Sequence, residues 1–269
     1  ETFDPVRCLD PTVLIPFIKE TQPKEWEYLV NLQKERAEQV LLDELGKALD
    51  SPHEGCLSVL RHGFKCFGKL FHVAYFAPAS GLNPEILERY RANRLTITRQ
   101  VKYSDKHGNS IDIVLSLNGL PVATVELKNP MSGQNFKDAI RQYKFDRDPN
   151  DLIFQFKKRA LVHFAVDTDQ VYMTTRLAGV STYFLPFNKG YDGGAGNPPN
   201  PDNYKTAYLW EEVLARESFL DILYRFVNLQ VEEVKAGGKK VRKETMIFPR
   251  YHQLDAVRNQ IFVLVRVVE

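Results

Sequence analysis

Cysteine is scarce in this sequence. Cys8, Cys56 and Cys66 sit at no metal-ligand spacing, and an odd count of three argues against a disulfide framework and for a reducing cytoplasm. No stretch approaches the roughly 20 apolar residues of a membrane span, and no signal peptide precedes the first charged segment. A net charge of +2 is too small to demonstrate a nucleic-acid partner. It does not exclude one, because a nuclease cleft holds acids for a metal beside basic groups for the backbone. The Gly/Pro/Asn-rich loop 184–204 lacks the Gly-Lys-Ser/Thr end of a phosphate-binding loop. The chain starts without Met and stops after Val-Val-Glu, so a piece of a longer protein is expected.

What is present is a globular composition, 43% apolar and 26% charged over 269 residues, enough for a sizeable core. Its centre is Ser110 to Lys128, S-I-D-I-V-L-S-L-N-G-L-P-V-A-T-V-E-L-K. Two β-branched runs flank Asn118-Gly119, a strong hairpin signal. A two-residue turn pairs Leu117 with Leu120 and sets Asp112 opposite Val125. A loop with an odd residue count pairs Leu117 with Pro121 and sets Asp112 opposite Glu126. The second register puts Asp112, Val114, Ser116, Val122, Thr124 and Glu126 on one face, with an apolar set behind. The odd loop is therefore expected.

Two carboxylates meeting on a sheet suit a divalent cation. Asp112 and Glu126, helped by the Leu127 carbonyl, offer hard oxygens to Mg²⁺. Lys128, two residues beyond Glu126 on the same side of the strand, could orient a water or stabilise a charged transition state. The same residues could equally make solvated surface pairs worth little.

Around this centre the pattern is α/β. Residues 1–20 read as an arm or short helix. Lys24 to Leu49 reads as one helix by its apolar period, with Glu38 on its solvated face. Cys56 to Phe76 reads as strand–turn–strand. Leu82, Ile86, Leu87 and Tyr90 mark a helix capped by Asn83 with Pro84 at its first position. Leu95 to Tyr103 is a strand, and Arg94, Arg99, Lys102 and Lys106 cluster on the approach to Asp112. Asn135 to Phe145 is an amphipathic helix with Phe136, Ala139, Ile140 and Tyr143 inward. Ala160 to Val166 is a buried strand whose His163 is expected in the core. Tyr208 to Leu229 is helical. Val231 to Thr245 reads as a charged linker and a domain boundary. Phe248-Pro249-Arg250-Tyr251-His252-Gln253 opens a last helix, where an aromatic and a Gln could clamp an adenine.

Blocks spread over about Pro23 to Val257 carry a resemblance. V-L-R-H-G-F-K, A-N-R-L-T-I-T-R-Q, the central hairpin through Asn129-Pro130, D-A-I-R-Q-Y, A-L-V-H-F-A-V-D, F-L-P-F-N-K-G and F-P-R-Y-H-Q-L-D-A-V-R occur in order. The chain resembles the N-terminal part of the R (restriction and translocation) subunit of type I restriction–modification enzymes. The resemblance implies a PD-(D/E)xK nuclease, a mixed central sheet flanked by helices, with an N-terminal helical arm and the start of a helicase motor at the C-terminus. The domains expected are an arm at 1–50, the endonuclease at 51–230, a linker at 231–245 and the truncated motor at 246–269. Asp112, Glu126 and Lys128 match the nuclease motif, and Gln142 matches the glutamine of a Gln-x-x-x-Tyr element. That element departs from pattern, since Asp146 stands four residues after Gln142 and the tyrosine is Tyr143. Phe248, Arg250 and Gln253 resemble an adenine-recognising Q motif, so ATP would belong to the intact protein only. Implied partners are double-stranded DNA and the specificity and methyltransferase subunits, with no membrane. The alternative is a non-catalytic DNA-binding or subunit-docking module.

Overall fold

The computed structural model describes residues 2–78, 83–236 and 239–268. Four helices lead: α1 (Pro11–Thr21), α2 (Pro23–Gln33), α3 (Ala37–Asp50) and α4 (Gly55–His62). Asp10 starts α1 by accepting the Thr12 amide proton at 3.0 Å, ahead of Pro11 at the first helical position. The single helix expected over 24–49 is broken. Residues Lys34–Arg36 make a tight turn, with Lys34 at φ 54°. The strand expected from Cys56 is also corrected. Cys56, Leu57, Val59 and Leu60 are buried together, which is helical spacing rather than alternation. The strands begin only afterwards, as the short hairpin β1 (Phe64–Cys66) and β2 (Lys69–Phe71).

Helix α5 (Pro84–Arg91) has the expected cap, with the Ile86 amide donating to Asn83 Oδ1; Leu82 lies outside the described residues. Then come β3 (Leu95–Lys102), β4 (Ser110–Leu117), β5 (Leu120–Leu127), α6 (Phe136–Phe145), β6 (Val162–Val166), β7 (Val171–Thr174) and β8 (Leu185–Pro186). The six strands form one mixed sheet in the order β3-β4-β5-β6-β7-β8. All neighbours are antiparallel except β5 and β6, whose parallel pairing requires the crossover that α6 provides. Asn135 and Asp138 close a capping box at the start of α6.

The sheet buries different chemistry on its two faces. Leu115, Leu117, Ala123, Val125, Val162 and Phe164 join the larger apolar cluster with α1, α3 and α4. Val114 and Ala165 join the smaller cluster with Ala139 and Tyr143 of α6. This two-sided burial makes the central strands nearly continuous apolar runs, as both faces are covered.

The C-terminal third departs most from expectation. Tyr208 to Leu229 is helical only to Phe226, as the wide turns Leu209–Val213 and Ile222–Phe226 around α7 (Arg216–Asp221). The expected linker is instead a two-stranded ribbon, β9 (Asn228–Ala236) with β10 (Lys239–Ile247). Its charges made it look like a tether. In register they set Glu232 opposite Lys243 and Glu233 opposite Arg242, pairings that favour a hairpin. The chain ends in α8 (Tyr251–Val268). Phe248 and Leu254 lie in the larger cluster, Phe248 edge-on to Phe164 at 5.8 Å, so this segment shares the core of the sheet.

Candidate active site

The site hangs on the β4–β5 register. Asn118 (φ 51°) and Gly119 (φ 84°) form a two-residue turn, both left-handed as a tight hairpin of this type requires. Leu117 therefore pairs with Leu120, not with Pro121 as expected from an odd loop. The register then shifts by one between Leu115 and Ser116, and Val114↔Thr124 and Ile113↔Val125 follow. The extra residue sits in a bulge beside Pro121, where a residue without an N–H loses no ladder bond. Val122, expected on the Asp112 face, packs instead in the larger cluster. Continuing the shifted register sets Asp112 opposite Glu126, the outcome the side-chain pattern demanded by a different route.

Asp112 is held on both oxygens. The Leu127 amide donates to Oδ2 at 2.9 Å, and Gln100 Nε2 donates to Oδ1 at 2.9 Å. Gln100 takes φ 52°, unusual for a side-chain-bearing residue, and its Oε1 accepts from Ser110 Oγ at 2.8 Å.

Glu126 is fully buried. Arg147 reaches its Oε1 with Nε at 2.8 Å and Nη2 at 2.7 Å. Oε2 has no hydrogen-bond partner. Burial pushes the Glu126 carboxyl up to about 8, the attraction of Arg147 opposes this, and the neighbouring Asp112 adds to the rise. Ionising both acids of the pair is therefore unfavourable, a cost that a bound cation would offset. Among the described residues no group of three or more His, Cys, Asp and Glu gathers as a metal cage. Two carboxylates are nonetheless a sufficient protein share for Mg²⁺, which completes its shell with water and phosphate. The buried Oε2 of Glu126, which no donor satisfies, fits that use.

Lys128 and Gln142 also meet. The Lys128 amide donates to Val166 O at 2.8 Å, fixing the strand end, and its Nζ donates to Gln142 Oε1 at 2.5 Å. Tyr143 points elsewhere. Its hydroxyl and His163 Nδ1 both lie 2.8 Å from Thr124 Oγ1, inside the sheet–α6 interface. Burial pushes the His163 pKa down to about 3, so it is a neutral core residue, as expected.

Arg147 escaped the sequence reading. It lies just past the end of α6 in D-R-D-P, where a charged turn looks solvated, yet it is 6% exposed and also donates to Ser110 O at 2.8 Å. The only signal was indirect, since a buried glutamate demands a partner. Arg94, expected near Asp112, instead pairs with Glu20, and Glu38 pairs with Lys19 on the surface.

The Q-like element lies apart. The Phe248 ring is enclosed by Phe164 and Phe187, and Gln253 Oε1 accepts the Arg250 amide proton at 3.0 Å, capping its own helix. Arg250 is exposed.

Residues 19–181 match the family described as Type I restriction enzyme R protein N terminus (HSDR_N), more than half of the chain. The chain belongs to this family. The search of curated proteins finds no match. The family is the N-terminal region of type I restriction R subunits, which contain the nuclease. The matched span contains Asp112, Glu126, Lys128, Gln142 and Arg147, and it stops before Phe248, Arg250 and Gln253. No helix among the described residues is long and apolar enough to cross a membrane.

Proposed function

We propose that this R-protein N-terminal region is a Mg²⁺-dependent endonuclease module of the PD-(D/E)xK kind, hydrolysing phosphodiester bonds of double-stranded DNA. The observation that carries the reading is the buried Glu126 beside Asp112, with one oxygen unpartnered and its pKa raised. Asp112 and Glu126 are the residues that would hold the cation, with the Leu127 carbonyl as a further donor. When bound, the cation supplies polarisation of the phosphate and a more acidic water.

The chain's own residues divide the remaining work. Gln100 and the Leu127 amide fix the direction of the Asp112 carboxylate. Arg147 holds Glu126 in place and favours its ionised form, so the proton leaves more readily. Gln142 steadies the Lys128 ammonium, which would stabilise the charge that builds on the phosphate. Cutting would be coupled in the intact enzyme to ATP-driven translocation by a motor following the nuclease. The specificity and methyltransferase subunits belong to this reading. An adenine contact through Arg250 and Gln253 belongs to it too, and one through Phe248 would require that ring to leave the core.

One observation favours the second reading, a non-catalytic DNA-binding or docking module: Arg147 already occupies Glu126 Oε1 with two donors. Calorimetry with Mn²⁺ separates the two. The nuclease reading expects uptake by the wild type and Lys128→Gln, lost in Asp112→Asn and Glu126→Gln, with all three variants failing to cleave in the assembled complex. Absent uptake in the wild type, or cleavage near the wild-type rate by any variant, refutes it.

A further inference from the structure

Outside the carboxylate site, several described basic side chains gather at the seam between the sheet and the β9–β10 ribbon. A cavity of about 390 Å³ there is walled by Lys157, Arg176 and Arg242, which come from three separate segments. A single carboxylate faces them. Glu244 bonds Lys157 Nζ at 2.6 Å and Arg242 Nη2 at 2.9 Å, a double attraction that holds its pKa below the usual range. Arg176 has no carboxylate within ion-pair distance among the described residues; its guanidinium lies 4.8 Å over the Phe156 ring. It is exposed.

Arg176 is also a wall of an adjoining cavity of about 480 Å³, which adds Arg250 and Tyr183. No acidic residue lines this second hollow, and Tyr183 is 75% exposed. Four permanent cations against one carboxylate is a local excess in a chain whose net charge is only +2. Holding them together costs mutual repulsion, which an anionic ligand with repeating charges would relieve. Spaced phosphates answer that demand better than one small anion, and an exposed aromatic among cations suits an accompanying base.

We propose that the two hollows form one binding site for the phosphodiester backbone of a nucleic-acid strand. Arg176 sits at the junction, Lys157 and Arg242 lie on one side and Arg250 on the other. Glu244 occupies the first hollow as an internal competitor for the same cations. The site rests on the nucleic-acid partner of the preceding section, but on neither the metal nor the cleavage chemistry.

The test is fluorescence anisotropy of labelled single-stranded and duplex oligonucleotides with this chain in EDTA, across a salt series. Arg176→Gln and Arg242→Gln should each weaken binding and reduce the log–log salt slope by about 0.9 for duplex or about 0.7 for single strands. Glu244→Gln should bind more tightly than wild type, the opposite of what a purely structural ion pair predicts. Lys47→Gln, whose ammonium pairs with Glu44 and lines neither hollow, should change nothing. Urea midpoints confirm that each variant folds. Wild-type slopes for both arginine variants with both probes overturn the proposal, as does weaker binding by Glu244→Gln. Because Asp112→Asn leaves these cations intact, its unaltered binding supports a separate site, whereas a nuclease failure alone leaves this result standing.

Discussion

Without a divalent cation, Glu126 should make this protein less stable as pH rises. Burial lifts its carboxyl from 4.5 to about 8 in the folded state. Between those values the folded protein keeps a proton that the unfolded chain has already lost. Stability therefore falls with rising pH, by about 1.4 kcal/mol per pH unit. From pH 5 to pH 8 the sum is about 4 kcal/mol, a ceiling that relaxation around Arg147 lowers. Glu126→Gln removes this titration and leaves every other group in place. Urea unfolding of both proteins in EDTA, at pH 5 to 9, gives the difference directly. The wild type should lose ground steadily against Glu126→Gln up to about pH 8 and then level off. Mn²⁺ should reverse the trend for the wild type alone, because it recruits the ionised carboxylate. Parallel curves for the two proteins between pH 5 and pH 8 would show that Glu126 is not the strained group described here.

Arg147→Met should lower the urea-derived stability at pH 7 by about 1–3 kcal/mol, since it removes the donor bonds to the buried Glu126 carboxyl and to Ser110 O. Gly119→Ala should cost well over 1 kcal/mol, because φ is 84° and an added Cβ would lie 2.3 Å from the Asp10 carbonyl; an unchanged urea midpoint would contradict the tight turn. Burial pushes the Cys8 and Cys56 thiols up to about 12, so alkylation at pH 8 should stay negligible until denaturant unfolds the chain. Nitrogen-detected NMR should find His163 neutral at pH 5, where an exposed histidine is charged; the folded state then loses stability as pH falls below about 6.5, the ordinary value.

Much of the sheet was legible. Alternation along Ser110 to Lys128 demanded Asp112 opposite Glu126, and the capped start of α5, the amphipathic helix α6 and the buried strand β6 stood where residue types placed them. Misses arose where two structures share one composition. Cys56 to Leu60 is apolar enough for a strand, and only its packing on α3 shows helical spacing. The 231–245 stretch is charged enough for a linker, and only the pairing of its own halves reveals a ribbon. Tyr143 is inward as its helical position places it, while its hydroxyl's network with Thr124 and His163 is a contact between elements that no motif records.

The amino-acid pattern by itself determined the α/β class, the hairpin, and the neighbourhood of Asp112, Glu126 and Lys128, because local alternation and turn chemistry act over a few residues. Tertiary structure alone decided how the register was reached, through a bulge at Pro121–Val122 rather than a longer loop. It alone brought Arg147 to Glu126 and Gln142 to Lys128, across 21 and 14 residues of chain. Such contacts depend on the position of α6 over the sheet, and burial sets their strength. A carboxylate's proton affinity is a property of what surrounds it, and no linear string records the surroundings.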